Sequence, residues 1–161
     1  MGLVILAGWA GEYVADAELA YFWAFTPSLQ ALLTPDLAQS FPSVFYFTYF
    51  TYHVGAVTAA SFLVFGCRLY PRRGAVWRVY WVTLGFTVIA GVGDLITGGN
   101  YVYLRDKPAH SSLLSLMSPW PWYIVQTAIL GLFLLLAVAG PAGAVRALLA
   151  DSVDAARPWS A

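Results

Sequence analysis

Four long apolar segments, separated by short polar stretches, follow one another along this chain. They cover residues 16–33, 43–66, 76–97 and 122–145. A membrane-spanning helix needs about 20 apolar residues, because each residue rises about 1.5 Å through a hydrocarbon core of roughly 30 Å. The segments lack the alternation of barrel strands, and a helix satisfies its own backbone polar groups within lipid. The pattern therefore predicts four transmembrane helices.

A shorter apolar stretch, LVILAGWA, lies near the start over residues 3–10. It is too short to cross a bilayer, and we expect a partial N-terminal helix there. The predicted fold class is all-α, a polytopic helical membrane protein with four full transmembrane helices plus this partial helix. Residues 1–150 would form one transmembrane domain, and residues 151–161 a short polar tail.

The composition favours a membrane protein over a soluble domain. Hydrophobic residues make up 60% of the chain and charged residues only 10%, whereas a soluble domain is about 25% charged. The net charge of zero gives no electrostatic reason to expect nucleic acid as a partner. The single cysteine, Cys67, excludes an internal disulfide. The histidines lack the spacing of a metal site, so we expect no metal and no cofactor.

The distribution of basic residues predicts the orientation in the membrane. The loop 67–78 contains four arginines, whereas the connections 34–42 and 98–121 together contain two basic residues. Basic residues favour the cytoplasmic side. We therefore expect a multi-pass protein of the cell membrane, with loop 67–78 and the C-terminus in the cytoplasm.

Ionisable residues within the apolar segments are costly unless they face protein or water. His53 lies near the middle of its segment and has either a catalytic or proton-carrying role or a neutral ring hydrogen-bonded to a neighbouring helix. Asp94 is either a buried partner of His53 or Arg105, or an interfacial carboxylate that reaches water. Glu18 lies near the inner end of the first segment. A carboxylate that snorkels to the membrane interface accounts for this position as well as a functional role does.

The connection over residues 97–123, TGGNYVYLRDKPAHSSLLSLMSPWPWY, is more elaborate than a simple link. Its glycines would cap one helix, and its Trp-Pro-Trp sequence would start the next. Its tyrosines suit a membrane interface, and its basic residues can meet a lipid phosphate. His110 is interpreted as a solvated loop residue. The candidate substrate-binding residues are Gln30, Asp94, Asn100, Tyr101 and Arg105.

Several stretches are specific in combination: ELAYFW (18–23), LQALLTPDL (29–37), FPS (41–43), His53, TGGNYVYLRDKP (97–108) and SPWPWY (118–123). Together they resemble the YwaF family of bacterial integral membrane proteins, which is related to eukaryotic transmembrane protein 164. The resemblance covers residues 16–145. Gly99, Val102 and Ser118 stand where bacterial members usually have alanine, methionine and glycine.

The resemblance also implies a longer protein and an activity. Family members carry further helices before ELAYFW, including a motif like His-Leu-Cys, so this chain would match the C-terminal half to two-thirds, through truncation or a misplaced start. The eukaryotic relative is implicated as an acyltransferase that makes polyunsaturated ether phospholipids. By resemblance, His53 would be the general base, and the nucleophile would lie in the missing part. Cys67 does not match it.

We therefore expect an integral membrane protein that acts as a lipid acyltransferase or acyl hydrolase through an intramembrane histidine. Two alternatives remain open. One is a non-catalytic membrane scaffold, and the other is a protein that binds or transports a small amphiphile. Membrane lipids are the expected partners, together with a homo-oligomer or a partner membrane subunit.

Overall fold

The computed structural model of the protein describes residues 15–37 and 39–155, with side chains up to Leu148. All regular secondary structure in these ranges is helical, which confirms the predicted all-α class. The predicted partial helix over residues 3–10 lies outside the described residues. The last helix continues to Ala155, so the first residues of the predicted polar tail are helical.

The first two helices form the N-terminal half of the described chain. Helix α1 covers residues 15–33 and contains a π-helical turn at Ala24–Ser28. Pro27 lies within that turn, where its ring and its missing N–H oppose a regular α-helix. Helix α2 covers Val44–Ser61 and continues through a second π-helical turn at Phe62–Gly66.

The last two helices are the longest, and both are apolar. Helix α3 covers Ala75–Thr97, and helix α4 covers Trp122–Ala155. Helix α3 and residues Trp122–Leu148 of α4 are long and apolar enough to cross a membrane. Helix α2 does not meet the same criterion, because tyrosines, threonines and a histidine interrupt its apolar residues. Four full spans therefore stay a prediction.

Local sequence signals set several helix ends. The hydroxyl of Ser43 accepts a hydrogen bond from the Phe45 amide at 3.1 Å and caps α2. Helix α3 lies between two glycines in the left-handed region, Gly74 at φ +79° and Gly98 at φ +73°. A residue with a Cβ is strained in this conformation, so glycine is favoured there. These caps fix where the connections on each side of α3 begin.

The densest packing lies where the first half of α1 meets the other helices. Its buried cluster consists of Tyr21, Phe22, Val64, Ala75, Val79, Leu135 and Ala142. Side-chain hydrogen bonds add to it. The Tyr21 hydroxyl donates to the Val138 carbonyl at 3.0 Å, and the Trp23 indole N–H donates to the Thr83 hydroxyl at 2.9 Å. Helix α1 is thus the element that joins α2, α3 and α4.

Most other large apolar side chains face outward. Val44, Leu95 and Ile96 are 76%, 85% and 78% exposed. A soluble monomer rarely exposes contiguous apolar surface on this scale. Lipid solvates such side chains without cost, so the exposed surface agrees with a membrane location.

Glu18 corrects the expectation of a snorkelling carboxylate. Its side chain is buried, with 1% exposure. It accepts hydrogen bonds from Arg72 Nε at 2.9 Å and Arg78 Nη2 at 2.9 Å, and from the Arg72 backbone amide at 2.8 Å. The carboxylate therefore stays inside the protein because two arginines of loop 67–78 come to it and neutralise its charge.

Candidate functional site

The connector over residues 98–121 folds back on itself at the ends of α3 and α4. The Asn100 side chain organises its first half. Its Oδ1 accepts from the backbone amides of Arg105 and Asp106 at 2.9 and 3.2 Å, and its Nδ2 donates to the Asp106 carbonyl at 2.8 Å. A single amide thereby closes the loop as an additional turn. Asn100 is a predicted substrate-binding residue, but in the structure its side-chain oxygen and nitrogen both form hydrogen bonds with the backbone of the loop.

Asp94 lies directly beneath this loop and differs from both sequence interpretations. It is only 1% exposed, so it does not reach water. Its Oδ1 accepts from the Tyr101 backbone amide at 2.6 Å, rather than from His53 or Arg105. Its Oδ2 is buried without a hydrogen-bond partner among the described residues. The carboxylate thus holds the start of the connector against the end of α3.

Basic and aromatic side chains line an open cleft in the connector. The cleft has a volume of about 420 Å³, and its walls include Arg105, Lys107, Trp120 and Tyr123. Lys107 Nζ donates to the Met117 carbonyl at 2.7 Å and lies 5.4 Å from the centre of the Tyr123 ring. Arg105 is exposed and donates to the Gly99 carbonyl at 3.3 Å. Asp106 also lines this cleft, and its carboxylate offsets part of the positive charge. The remaining excess of one basic residue, with Lys107 beside the Tyr123 ring, favours an anionic group with an apolar neighbour.

A second polar cluster joins the connector to the segment after α1. The Tyr103 hydroxyl donates to Asp36 Oδ2 at 2.8 Å, and His110 Nδ1 lies 2.6 Å from Asp36 Oδ1. The hydrogen bond from His110 lowers the pKa of Asp36 below its ordinary value of 3.8. Burial, together with the hydrogen bond to Asp36, raises the pKa of Tyr103 to about 12. The cluster is therefore charged at Asp36 and neutral at Tyr103 at physiological pH.

His53 projects from α2 between two tyrosine rings. The centres of the Tyr49 and Tyr52 rings lie 4.6 and 5.8 Å from that of His53. Its Nδ1 is buried and has no hydrogen-bond partner among the described residues. The predicted hydrogen bond to a neighbouring helix is therefore absent from the described part of the chain. Instead, Tyr49 makes the link to α1, with its hydroxyl donating to the Ala31 carbonyl at 2.7 Å.

A second cleft connects these parts. It has a volume of about 380 Å³ and is lined by Asp36, Leu37, Gln39, Phe45, Thr48 and Tyr49. Asp36 belongs to the polar cluster with Tyr103 and His110, and Tyr49 packs on the His53 ring. The cleft therefore has a residue of the polar cluster in one wall and the tyrosine that packs on His53 in another.

The structure brings the predicted site residues together only in part. Asn100, Tyr101 and Arg105 lie in the connector, and Asp94 contacts its start from the end of α3. Gln30 lies on another element, in the last turn of α1, where its Nε2 donates to the Thr34 hydroxyl at 2.8 Å.

Sequence reasoning missed the cluster that Asp36 forms with Tyr103 and His110. The basic residues of the connector indicated an anion site, but nothing in the sequence paired Asp36 with a histidine far along the chain. Within residues 15–37 and 39–155 no three His, Cys, Asp or Glu side chains lie close enough to hold a metal ion.

Comparison with known proteins identifies the family. The model of the TMEM164 family matches residues 2–138, which is most of the chain. The chain belongs to the TMEM164 family. The predicted relation to transmembrane protein 164 is thereby confirmed, whereas the YwaF grouping stays a prediction. No curated protein and no solved structure matches the chain.

Membership of the TMEM164 family also agrees with the surface of the molecule. Two helices are long and apolar enough to span a bilayer, and large apolar side chains face outward. The chain is a helical membrane protein.

Proposed function

We propose that this TMEM164-family chain is a multi-pass cell-membrane enzyme that transfers or hydrolyses an acyl group of a membrane lipid. The observation that carries the proposal is the state of His53. Its Nδ1 is buried in an apolar helix and has no partner among the described residues. A structural histidine normally uses its ring nitrogens in hydrogen bonds. A ring nitrogen without a partner can accept a proton from a group that reaches it. Tyr49, which packs on the His53 ring, lines the cleft of about 380 Å³.

The connector supplies the second part of the proposal, a site for the lipid head group. Arg105 and Lys107 line an open cleft with Trp120 and Tyr123, at the ends of the two most apolar helices. Cationic side chains at that depth can pair with a lipid phosphate, and the aromatic rings can pack on the glycerol and the start of the chains. Asn100, Tyr101 and Asp94 would hold the loop in shape, and Gln30 would face the head group from α1.

His53 would act as the general base of the acyl chemistry. By the resemblance, the nucleophile would lie in helices that precede ELAYFW, so the base and the nucleophile would come from different helices. Cys67 is unsuited to the role. It follows the end of α2 and is exposed, roughly 20 Å along the helix from His53 at about 1.5 Å per residue.

Four transmembrane helices complete the proposal, with loop 67–78 and the C-terminus in the cytoplasm. The four arginines of the loop support this orientation. The structure also links α1 to this loop, since the buried carboxylate of Glu18 on α1 pairs with two of those arginines.

The test is turnover of a fluorescent acyl phospholipid, with a lysophospholipid as acceptor, by protein reconstituted in vesicles. We expect His53→Ala to lower kcat by about 100-fold or more, which is the usual contribution of a general base, with little change in thermal stability. Val54→Ala is the matched control, since Val54 is the next residue and faces outward. Parallel loss of activity and stability in His53→Ala would instead indicate a structural histidine. Saturable lipid binding without an acyl product would favour the amphiphile-binding alternative.

A further inference from the structure

The pair formed by Asp36 and His110 has the geometry of an oriented proton acceptor. His110 Nδ1 lies 2.6 Å from Asp36 Oδ1. An ionised carboxylate can only accept hydrogen bonds, so Nδ1 carries a proton, and in the neutral form of the ring the lone pair is on Nε2. The His110 side chain is 62% exposed, whereas that of Asp36 is only 23% exposed. The half-buried Asp36 thus orients the ring, and the exposed His110 presents its other nitrogen.

A third residue holds the carboxylate in place. Tyr103 donates its hydroxyl to the other oxygen, Asp36 Oδ2, at 2.8 Å. The two oxygens of Asp36 are therefore held from two points of the connector. A carboxylate that is fixed at both oxygens orients the imidazole better than a freely rotating one, which is the arrangement that general-base histidines require.

The pair also lies beside space for an acyl chain. Asp36 lines the cleft of about 380 Å³, whose other walls include the apolar side chains of Leu37 and Phe45. Tyr49 forms another wall of this cleft and packs on His53 at 4.6 Å between ring centres. The two histidines do not line this cleft themselves. An acyl chain bound there would lie beside Asp36, the partner of His110, and Tyr49, the neighbour of His53.

We propose that His110 is a second catalytic base of the same site, which activates the water or lipid hydroxyl that receives the acyl group, and that Asp36 is its positioning residue. This inference rests on the proposed acyl chemistry. The enzyme nucleophile activated by His53 first bonds to the ester carbonyl carbon, and the original alcohol departs with the proton that His53 had taken. Nε2 of His110 then takes the proton of the receiving hydroxyl as that oxygen bonds to the acyl carbonyl carbon. The bond from this carbon to the enzyme nucleophile breaks, and the imidazolium returns the proton to that nucleophile. The products are the original alcohol, the free nucleophile and either a carboxylic acid or a new ester.

The experiment uses the full chain in vesicles with the same fluorescent acyl phospholipid and a lysophospholipid acceptor. We expect His110→Ala to lower kcat by about 100-fold or more, with KM little changed. Free imidazole added to this variant should restore part of the turnover, because the ring position is open to solvent. We expect Asp36→Asn to lower kcat without changing KM, and Asp36→Glu to retain more activity than Asp36→Asn. Ser111→Ala, an exposed neighbour in the connector, should keep full activity.

The outcomes separate this inference from the function on which it rests. If wild type turns over, His53→Ala is inactive and His110→Ala is fully active, the second base is excluded and the acyl function stands. If His110→Ala folds, is inactive and is not rescued by imidazole, His110 has a structural role and the inference is wrong. If wild type forms no product, the proposed function fails and the inference fails with it. Should His110→Ala not fold, His110→Gln replaces it in the same assay.

Discussion

At the scale of single residues, the clearest consequence concerns Glu18. The carboxylate is buried against Arg72 and Arg78, whose side chains are each 45% exposed. Breaking a fully buried ion pair costs about 3–5 kcal/mol. Solvent screening of the exposed arginines reduces this value. We expect Glu18→Gln to lower the free energy of unfolding by about 1–3 kcal/mol, because one strong acceptor of both guanidinium groups is lost.

The measurement is denaturant or thermal unfolding of the purified protein in detergent micelles. The matched control is Asp16→Asn, since Asp16 is an exposed carboxylate of the same helix. That variant should change stability by less than about 0.5 kcal/mol. An equal loss in both variants would show that the negative charge at this end of α1 matters and the buried contact does not.

A second prediction at this scale concerns the pH range over which Asp36 and Tyr103 contribute to the stability of the fold. The pKa of Asp36 is lowered, so its contribution to stability is present above its ordinary pKa of 3.8 and is lost as the pH falls through the folded value. The pKa of Tyr103 is raised from 10.0 to about 12. Its contribution is present below pH 10 and is lost between pH 10 and 12, where the unfolded phenol ionises first.

The free energy of unfolding, followed against pH, checks both limits. We expect Tyr103→Phe to remove part of the alkaline loss of stability, and Asp36→Asn to remove part of the acid loss. Tyr101→Phe is the control for the alkaline limit, since this neighbouring ring is 49% exposed. A wild-type profile unchanged by Tyr103→Phe between pH 10 and 12 would contradict the role of this hydrogen bond.

At the scale of elements, the end of α3 is set by its backbone conformation. Gly98 has φ +73°, and a Cβ there would meet no atom within 4 Å, so the cost of a side chain is backbone strain alone. We expect Gly98→Ala to lower the free energy of unfolding by about 1–2 kcal/mol. Gly85 lies within the same helix and also has open space. Gly85→Ala should therefore raise stability by up to about 1 kcal/mol.

Unfolding in detergent distinguishes the two glycines. Opposite signs for the two variants would confirm that the cap conformation matters. Destabilisation by Gly85→Ala would mean that another surface packs against this face of α3 in the intact protein. Since α3 leads directly into the connector, Gly98→Ala should also weaken binding of anionic lipid to the connector cleft.

At the scale of the whole molecule, the single cysteine offers a test of orientation. Cys67 is exposed at the start of the loop that carries the arginines. We expect a membrane-impermeant maleimide to label it in inverted vesicles and not in intact cells. The control is Ser111→Cys in a Cys67→Ser background, which places the thiol in the connector. This thiol should be labelled from the outside. Labelling of both thiols from the same side would contradict the single span, α3, that is predicted between them.

The sequence predicted the elements well and their long-range contacts poorly. Apolar segments predicted helices close to where they occur, because the cost of burying backbone polar groups in lipid is local to each segment. Caps such as Gly98 could also be predicted, since they depend on adjacent residues. In contrast, the contact of Glu18 with Arg72 joins residues 54 positions apart, and that of Asp36 with His110 joins residues 74 positions apart.

The sequence by itself therefore determined that this protein is helical, that it suits a membrane and that its polar chemistry gathers in a few places. Hydropathy, charge distribution and turn residues carry that information locally along the chain. The tertiary structure alone decided which polar groups became partners. It buried Glu18 between arginines, turned Asp94 into a support for the connector and oriented His110 on Asp36. The reason is that a charged group away from water is costly unless an oppositely charged or hydrogen-bonding group lies beside it. The packing of the helices determines which such groups are close enough.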